Sequence, residues 1–283
     1  MKTKRRAGNA ACQLVLILAA CTALFPAAFM LLNSFFSGAE IAESYGVLTG
    51  SGETIRFHLI PDRATLEGYA KVFLLTPSYL VKFWSSLLLA AATVAGQVLV
   101  SCVSGDGFAK FRFPLRRVLL VTVVVLMMTP VQVQMVSQYP VLRGLGLLGT
   151  YGALILPGAF GAFGIFLITQ VFSYIPDEIL EAAKIDGASH LQILMRVVIP
   201  YSKMGIASLV ILSFIDNWNL VEQPIVFLQN AWQYPLSVFL SRINGARLDV
   251  AFVCGVLAIL PTAILYLFLK DALITGIENA SLK

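Results

Sequence analysis

Charge is what this 283-residue chain lacks most. Only 12% of its residues are Asp, Glu, Lys or Arg, against about 25% in soluble globular domains. With 58% hydrophobic residues and a mean hydropathy of +0.84, too little polar surface exists to cover a water-exposed fold. An ordinary soluble enzyme and a disordered chain are both excluded. Histidine is nearly absent: His58 and His190 are the only two, which removes any His-based catalytic or metal constellation. Cys12, Cys21, Cys102 and Cys254 all lie in apolar runs without CxxC spacing. That is the pattern of buried helical thiols rather than of a disulfide or metal framework. No GxxxxGK[ST] phosphate loop occurs, so ordinary ATP binding and hydrolysis must lie on another chain. No fixed-period repeat and no matching inverted halves are visible, which weighs against a secondary transporter built on repeats.

What is present is a series of apolar runs. A bilayer core needs about 20 apolar residues as helix, and six stretches qualify: Cys12–Leu32, Phe83–Val103, Val118–Gln138, Tyr151–Tyr174, Met204–Leu228 and Ala251–Leu269. The first follows MKTKRR and so resembles a signal peptide, but its apolar run exceeds the roughly 7–15 residues of an h-region. It is read as a retained span. The net charge of +5 sits in short basic clusters between apolar runs, which fits membrane topology rather than nucleic-acid binding. With the N-terminus inside, thirteen of the twenty Lys and Arg fall on the cytoplasmic side. The positive-inside rule therefore puts both termini in the cytoplasm. The expected layout is a cytoplasmic tail (1–11), a first transmembrane helix (12–32), an extracytoplasmic loop (33–81), a core with five further transmembrane helices (82–270), and a cytoplasmic C-terminal tail (271–283). The fold class is all-α integral membrane.

The core includes one long polar interruption, residues 175–203, IPDEILEAAKIDGASHLQILMRVVIPYSK. Pro176 with Asp177 and Glu178 suits a helix start at the positive end of the dipole. Ile179, Leu180, Ala183 and Ile185 give an apolar side, and Gly187 supplies a C-terminal stop. Ser189 and Gln192 read as a capping box for a second short helix, through Leu191, Ile193, Leu194 and Val197. Pro200 marks its boundary with the fifth span. The product is two short amphipathic helices joined by a tight elbow. Such a hairpin either lies on lipid headgroups or docks into a groove of a partner protein; its small-residue, acid-bearing surface suits the second.

Glu181-Ala182-Ala183, then Asp186-Gly187-Ala188, then Ile199-Pro200 resembles the EAA motif of the membrane subunits of bacterial ABC importers. The resemblance implies a type I importer permease fold in which this loop is the coupling helix, seated in a cleft of the ATP-binding subunit. Phe108 to Pro114, Leu145 to Pro157, and Asn217-Trp218-Asn219 followed by Pro224 and Phe227-Leu228 resemble the carbohydrate-importing branch, the relatives of the second maltose-transporter permease. Together these stretches cover roughly residues 70–270. Two segments depart from the pattern. Ser104-Gly105-Asp106-Gly107 stands where the family usually has aromatic and aliphatic residues, and the tail Gly276-Ile277-Glu278-Asn279 lacks the family's usual small-residue ending. The implied partners are two ABC ATPase subunits, a second homologous permease and an extracytoplasmic solute-binding protein, all at the bacterial inner membrane. ATP and Mg would bind the ATPase subunits, and no cofactor binds this chain. The implied work is import of a sugar or small oligosaccharide by alternating access, without catalysis by this chain. Glu181, Ala182, Ala183, Asp186, Gly187 and Ala188 are the expected coupling contact.

Polar residues within the spans are the remaining signal. Asp216 falls about 18 Å into the fifth span at 1.5 Å per residue, near mid-bilayer, where a carboxylate is costly. Asp216, Asn217, Trp218 and Asn219 either line the translocation path or make helix-to-helix hydrogen bonds. An ion-coupled transporter using Asp216 and Glu222 is the alternative from another class, and an ABC permease for a non-sugar solute is the alternative within the family. An integral membrane enzyme would need a catalytic cluster at one face, and none is found. Gln132, Gln134 and Gln138 do not share one helical face. Gly158, Gly161 and Gly164 recur every three residues, a spacing that lets helices approach closely.

Overall fold

Proline and glycine decide where the helices of this chain stop, bend and touch. The computed structural model describes residues 2–47, 60–242 and 248–281, with side chains described between 12 and 271. His58 lies outside the described residues, as do the side chains of residues 1–11 and 272–283. The first elements are α1 (Lys2–Asn33), α2 (Gly38–Tyr45) and α3 (Glu67–Ala70), the last continued by a π turn (Lys71–Leu75). Then come α4 (Pro77–Lys110), α5 (Arg116–Met128), α6 (Val131–Gly144), α7 (Gly152–Ala159) and α8 (Ala162–Ser173). The short α9 (Asp177–Ile185) and α10 (His190–Ile193) follow, with a π turn (Leu194–Val198) leading to α11 (Ile199–Tyr201). The chain continues with α12 (Lys203–Trp218), α13 (Glu222–Phe227), α14 (Leu236–Ser241) and α15 (Leu248–Ser281).

Four helical stretches are long and apolar enough to cross a bilayer: Cys12–Asn33, Pro77–Lys110, Gly152–Ser173 and Leu248–Asp271. Two further pairs qualify only jointly, Arg116–Met128 with Val131–Gly144, bent by 110°, and His190–Tyr201 with Lys203–Trp218, bent by 77°. The described residues therefore hold four spans, or up to six if each bent pair is one.

The expected third span, 118–138, is thus not one straight helix. Thr129 precedes Pro130, and a residue before proline is driven from helical to extended backbone; Thr129 has ψ 130° and α5 ends at Met128. Gln134 Nε2 donates to the carbonyls of Leu126 at 3.0 Å and Thr129 at 2.9 Å, satisfying acceptors that the break releases. The expected fifth span, 204–228, also ends early, because α12 stops at Trp218 and α13 is separate. At the other extreme, α1 begins at Lys2 and α15 runs on to Ser281, so helix occupies most of what the sequence suggested as tails. Cys102 and Cys254 are buried as expected, but Cys12 and Cys21 are exposed on α1; none of the four is in a disulfide among the described residues.

The chain divides into two compact units, residues 1–81 with 240–260, and residues 82–239 with 261–283. In the first, Phe36, Ile41 and Tyr45 form a small core against Phe29, Leu248 and Phe252. A capping box starts α2: Ser37 Oγ accepts from Glu40 N, and the Glu40 carboxylate accepts from Ser37 N at 2.8 Å. Those donors hold the Glu40 carboxyl below its usual range. Lys71 reaches Glu67 at 2.9 Å and Asp249 at 3.0 Å, and these partners, Glu67 foremost, raise its pKa.

The second unit is organised by close helix contact. A Cβ added at Gly158 would strike Thr93, at Gly161 would lie 2.6 Å from Gln97 Nε2, and at Gly164 would strike Ser101. Thr93, Gln97 and Ser101 are four apart on one ridge of α4, so the three glycines form the groove that receives it. The stripe is packing, as its spacing suggested. Gly105 extends the ridge, its added Cβ falling 2.7 Å from Ile168 Cγ2 of α8. Near the start of α4, Lys82 Nζ donates to the carbonyls of Ala231, Trp232 and Tyr234 at 3.2–3.4 Å.

Candidate functional site

The elbow between α9 and α10 is built from local rules. Pro176 precedes α9, with Asp177 and Glu178 in its first turn. The helix closes on Gly187, whose φ of +78° is strained for residues with a Cβ. Gly187 N donates to Lys184 O at 3.0 Å and Ala188 N to Ala183 O at 3.1 Å, the pair of bonds of a Schellman stop. Ser189 then opens α10 with a full capping box: Gln192 N donates to its hydroxyl, and Ser189 N donates to Gln192 Oε1 at 2.8 Å. The sequence-based reading of both features holds.

The elbow is anchored in the second unit's core rather than laid flat. Leu180, Ile193, Leu194 and Val198 are buried with Cys102, Ile168, Phe172, Ile175 and Leu209, and Ala183 and Ala188 pack against this cluster. Outside remain Glu181, Ala182, Lys184, Ile185, Asp186 and Gly187. Ile185 departs from expectation: it was read as part of the apolar side, yet 86% of it is exposed. Leu180 and Ala183 are three apart and share a face; Ile185 is a further two residues on and points elsewhere. Of the six expected coupling residues, four are therefore exposed and two alanines seat the turn on the core.

Beside the elbow lies a cleft of about 250 Å³ lined by Asp106, Lys110, Phe111, Asp177, Leu180, Glu181, Lys184, His190, Ile193 and Val198. The end of α4 forms one wall. Lys110 Nζ donates to the Ile175 carbonyl at 2.7 Å and pairs with Asp177 Oδ1 at 2.9 Å. That ammonium holds the Asp177 carboxyl below its usual range. Asp106 Oδ2 lies 2.6 Å from His190 Nε2, and Phe111 meets the imidazole edge-on with centroids 4.6 Å apart. Sequence reasoning did not find these contacts. The available signal was Asp106 itself, an acid near the end of an apolar run and within the segment that departs from the family pattern.

The second group of predicted residues is dispersed. Trp218 is buried, stacked on Phe214 at 5.7 Å and edge-on to Phe83 at 5.7 Å, so its ring is not open to a sugar. Asn217 Nδ2 donates to Ser213 O at 2.7 Å and Asn219 Nδ2 to Ile215 O at 2.9 Å. Both amides thus spend donors on their own helix. Asp216 and Asn219 are exposed, three apart on one side of α12. Asp216 lies two residues before the helix end, not midway along an unbroken span. Glu222 accepts from Gln132 Nε2 at 3.1 and 2.8 Å, a bridge between α13 and α6.

Long apolar helices together with one short, core-anchored helical elbow define a polytopic membrane protein. The chain belongs to the family described as binding-protein-dependent transport system inner membrane component, which matches residues 97–279. That stretch takes in the C-terminal part of α4, the elbow and α12. The arabinooligosaccharides transport system permease protein AraQ of Bacillus subtilis (strain 168) is 27% identical over 262 residues, covering 90% of this chain and 93% of that one. The sn-glycerol-3-phosphate transport system permease protein UgpE of Brucella abortus (strain 2308) is 27% identical over 285 residues, 98% of each chain. Among solved structures, a chain of a bacterial ABC transporter that imports the acidic polysaccharide alginate matches with a TM-score of 0.79 and 25% identity, over 94% of this chain and 96% of that one. The chain is accordingly an inner-membrane permease of a binding-protein-dependent importer.

Proposed function

We propose that this chain is one of two permease subunits of an ATP-driven importer for a sugar or small oligosaccharide, and that its elbow is the coupling loop. The observation that carries the coupling reading is the exposed set Glu181, Ala182, Lys184, Ile185 and Asp186, held out from the membrane helices by a glycine turn with φ +78° and a core beneath it. A rigid projection with an exposed isoleucine at its tip suits a groove on an ATPase subunit. The named cargo of the relatives supports the substrate class: arabinooligosaccharides, sn-glycerol-3-phosphate and alginate are all hydroxyl-rich.

The mechanism is alternating access. ATP draws two ATPase subunits together, each elbow moves with the subunit that holds it, and the spans exchange inward-facing for outward-facing states. A solute-binding protein then delivers cargo from outside. Each ligand shifts the equilibrium only as far as it prefers one state. Both termini lie in the cytoplasm in this reading, and the ATPase subunits hold ATP and Mg. Asp216 and Asn219 are the pathway-facing pair on α12.

The test is a single cysteine at Asp186, which is exposed where Ala188 is half-buried, in a chain freed of Cys12, Cys21, Cys102 and Cys254. In intact membranes a crosslink to an ATPase subunit is expected, with a yield that changes with ATP. A stable, inserted chain that gives no such crosslink would return the elbow to the lipid surface.

A further inference from the structure

Charged and aromatic side chains at the end of α4 reach both arms of the elbow. Lys110 grips the entry arm, through the Ile175 carbonyl and Asp177. Asp106 and Phe111 grip the exit arm, both through the His190 ring. Asp106 and Lys110 are four residues apart, hence on one face of α4.

The Asp106 contact is the unusual one. Its side chain keeps only 5% of its surface exposed, and a carboxylate so placed is costly unless well paired. Yet it holds one side-chain partner, His190 Nε2 on Oδ2, while Oδ1 is buried with no hydrogen-bond partner among the described residues. Apolar packing would seal this spot at lower cost. A directional bond does what packing does not: it fixes the angle at which α10 leaves the elbow. His190 is the first residue of α10, and Ser189 and Gln192 already lock that turn, so the bond is transmitted to a rigid element.

We propose that Asp106 is a positioning residue for coupling, which ties the exit arm of the elbow to α4 so that the two move as one piece. This rests on the reading of the elbow as the coupling loop. Movement of the elbow then drives α4 directly, and α4 carries the ridge of Thr93, Gln97, Ser101 and Gly105 that seats in the groove of α7 and α8. The strut combines a polar contact with an aromatic one, and the charged groups that share its cleft are Lys110, Asp177, Glu181 and Lys184.

The experiment uses the full complex, reconstituted with ATPase subunits, partner permease and binding protein, and reads transport per ATP hydrolysed beside the unfolding midpoint. Asp106→Leu keeps the branched shape and removes the bond. The buried partner is the one removed, and His190, with 48% of its side-chain surface exposed, turns to water rather than being left buried and unpaired, so the midpoint is expected to hold while transport per ATP falls roughly five- to tenfold. His190→Ala should give the same loss, and the double variant no more than either single, since both remove one strut. Asp106→Asn, which retains an acceptor for Nε2–H, should stay within about twofold of native. Native transport per ATP in Asp106→Leu overturns the proposal, as does a fall in midpoint with transport per ATP unchanged, which marks a role in folding alone. The Asp186→Cys crosslink is measured in the same membranes. Its absence from the otherwise native chain refutes the coupling reading itself; its presence in a fully coupled Asp106→Leu chain refutes only the strut.

Discussion

Gly105 and Gly107 lie two residues apart in the same helix and should respond to alanine in opposite directions. At Gly107 an added Cβ meets nothing within 4 Å, so only the helical gain from glycine to alanine acts, about 0.5–1 kcal/mol of stabilisation. At Gly105 the same Cβ lies 2.7 Å from Ile168 Cγ2 and 3.1 Å from both Ile168 C and Thr169 N. Two of those three atoms are main chain of α8, which no rotamer change can clear. Overpacking of this kind costs about 1–3 kcal/mol. Set against the same helical gain, Gly105→Ala should lose from about zero to 2.5 kcal/mol. The helical gain cancels between the two variants, leaving a difference of about 1–3 kcal/mol, or roughly 5- to 150-fold in the unfolding equilibrium. Titration of purified protein from mild detergent into SDS, followed by fluorescence of Trp84, Trp218 and Trp232, measures that difference. Equal stability of the two variants would refute the close approach of α4 to α8.

Other expectations follow from single features. Gly187→Val forces a β-branched residue toward φ +78° and should cost about 1–3 kcal/mol, with transport reduced and membrane insertion unchanged; loss of insertion would assign the glycine to folding instead. Ser189→Ala removes the cap of α10 and should lower stability by about 1 kcal/mol, with Ser189→Asp restoring most of it in the same SDS titration. Leu115 holds φ +66° with 69% of its surface exposed, so Leu115→Asn should raise stability by up to about 1 kcal/mol. The Asp177 carboxyl titrates below its usual range because of Lys110. Its contribution is therefore present above the ordinary carboxylate pKa and lost as pH falls through the lowered one. Lys110→Met should reduce that acid-range loss, leaving the smaller share due to Arg112 and Lys184, which acid titration of the two proteins compares.

Local grammar was legible in the sequence, and contacts between distant residues were not. The elbow could be read because Gly187, Ser189 and Gln192 act on neighbours within five residues. The glycine stripe could be read because its period is helical. The bend at Thr129-Pro130 was also written locally, but hydrophobicity summed over 118–138 masked the pre-proline restriction. The sequence leaves Trp218 between pathway and packing because a ring with a polar edge suits either, and its burial in an aromatic stack depends on Phe83, 135 positions away, as well as on neighbouring Phe214. The Asp106–His190 pair spans 84 positions; neither residue's neighbours name the other. Ile185 was assigned to the apolar side of α9 by composition, although its angle around the helix sets it apart from Leu180 and Ala183.

The three bonds from Lys82 all end on main-chain carbonyls, those of Ala231, Trp232 and Tyr234. A backbone oxygen is the same whatever side chain its residue bears. Substitution at 231, 232 or 234 therefore leaves the lysine's acceptors in place, whereas replacement of Lys82 removes all three bonds at once. Over evolutionary time the two partners should drift at unequal rates: the short segment is free to diverge in side chains so long as its path is kept, and the lysine is not. The segment can exchange its side chains without renegotiating its own attachment.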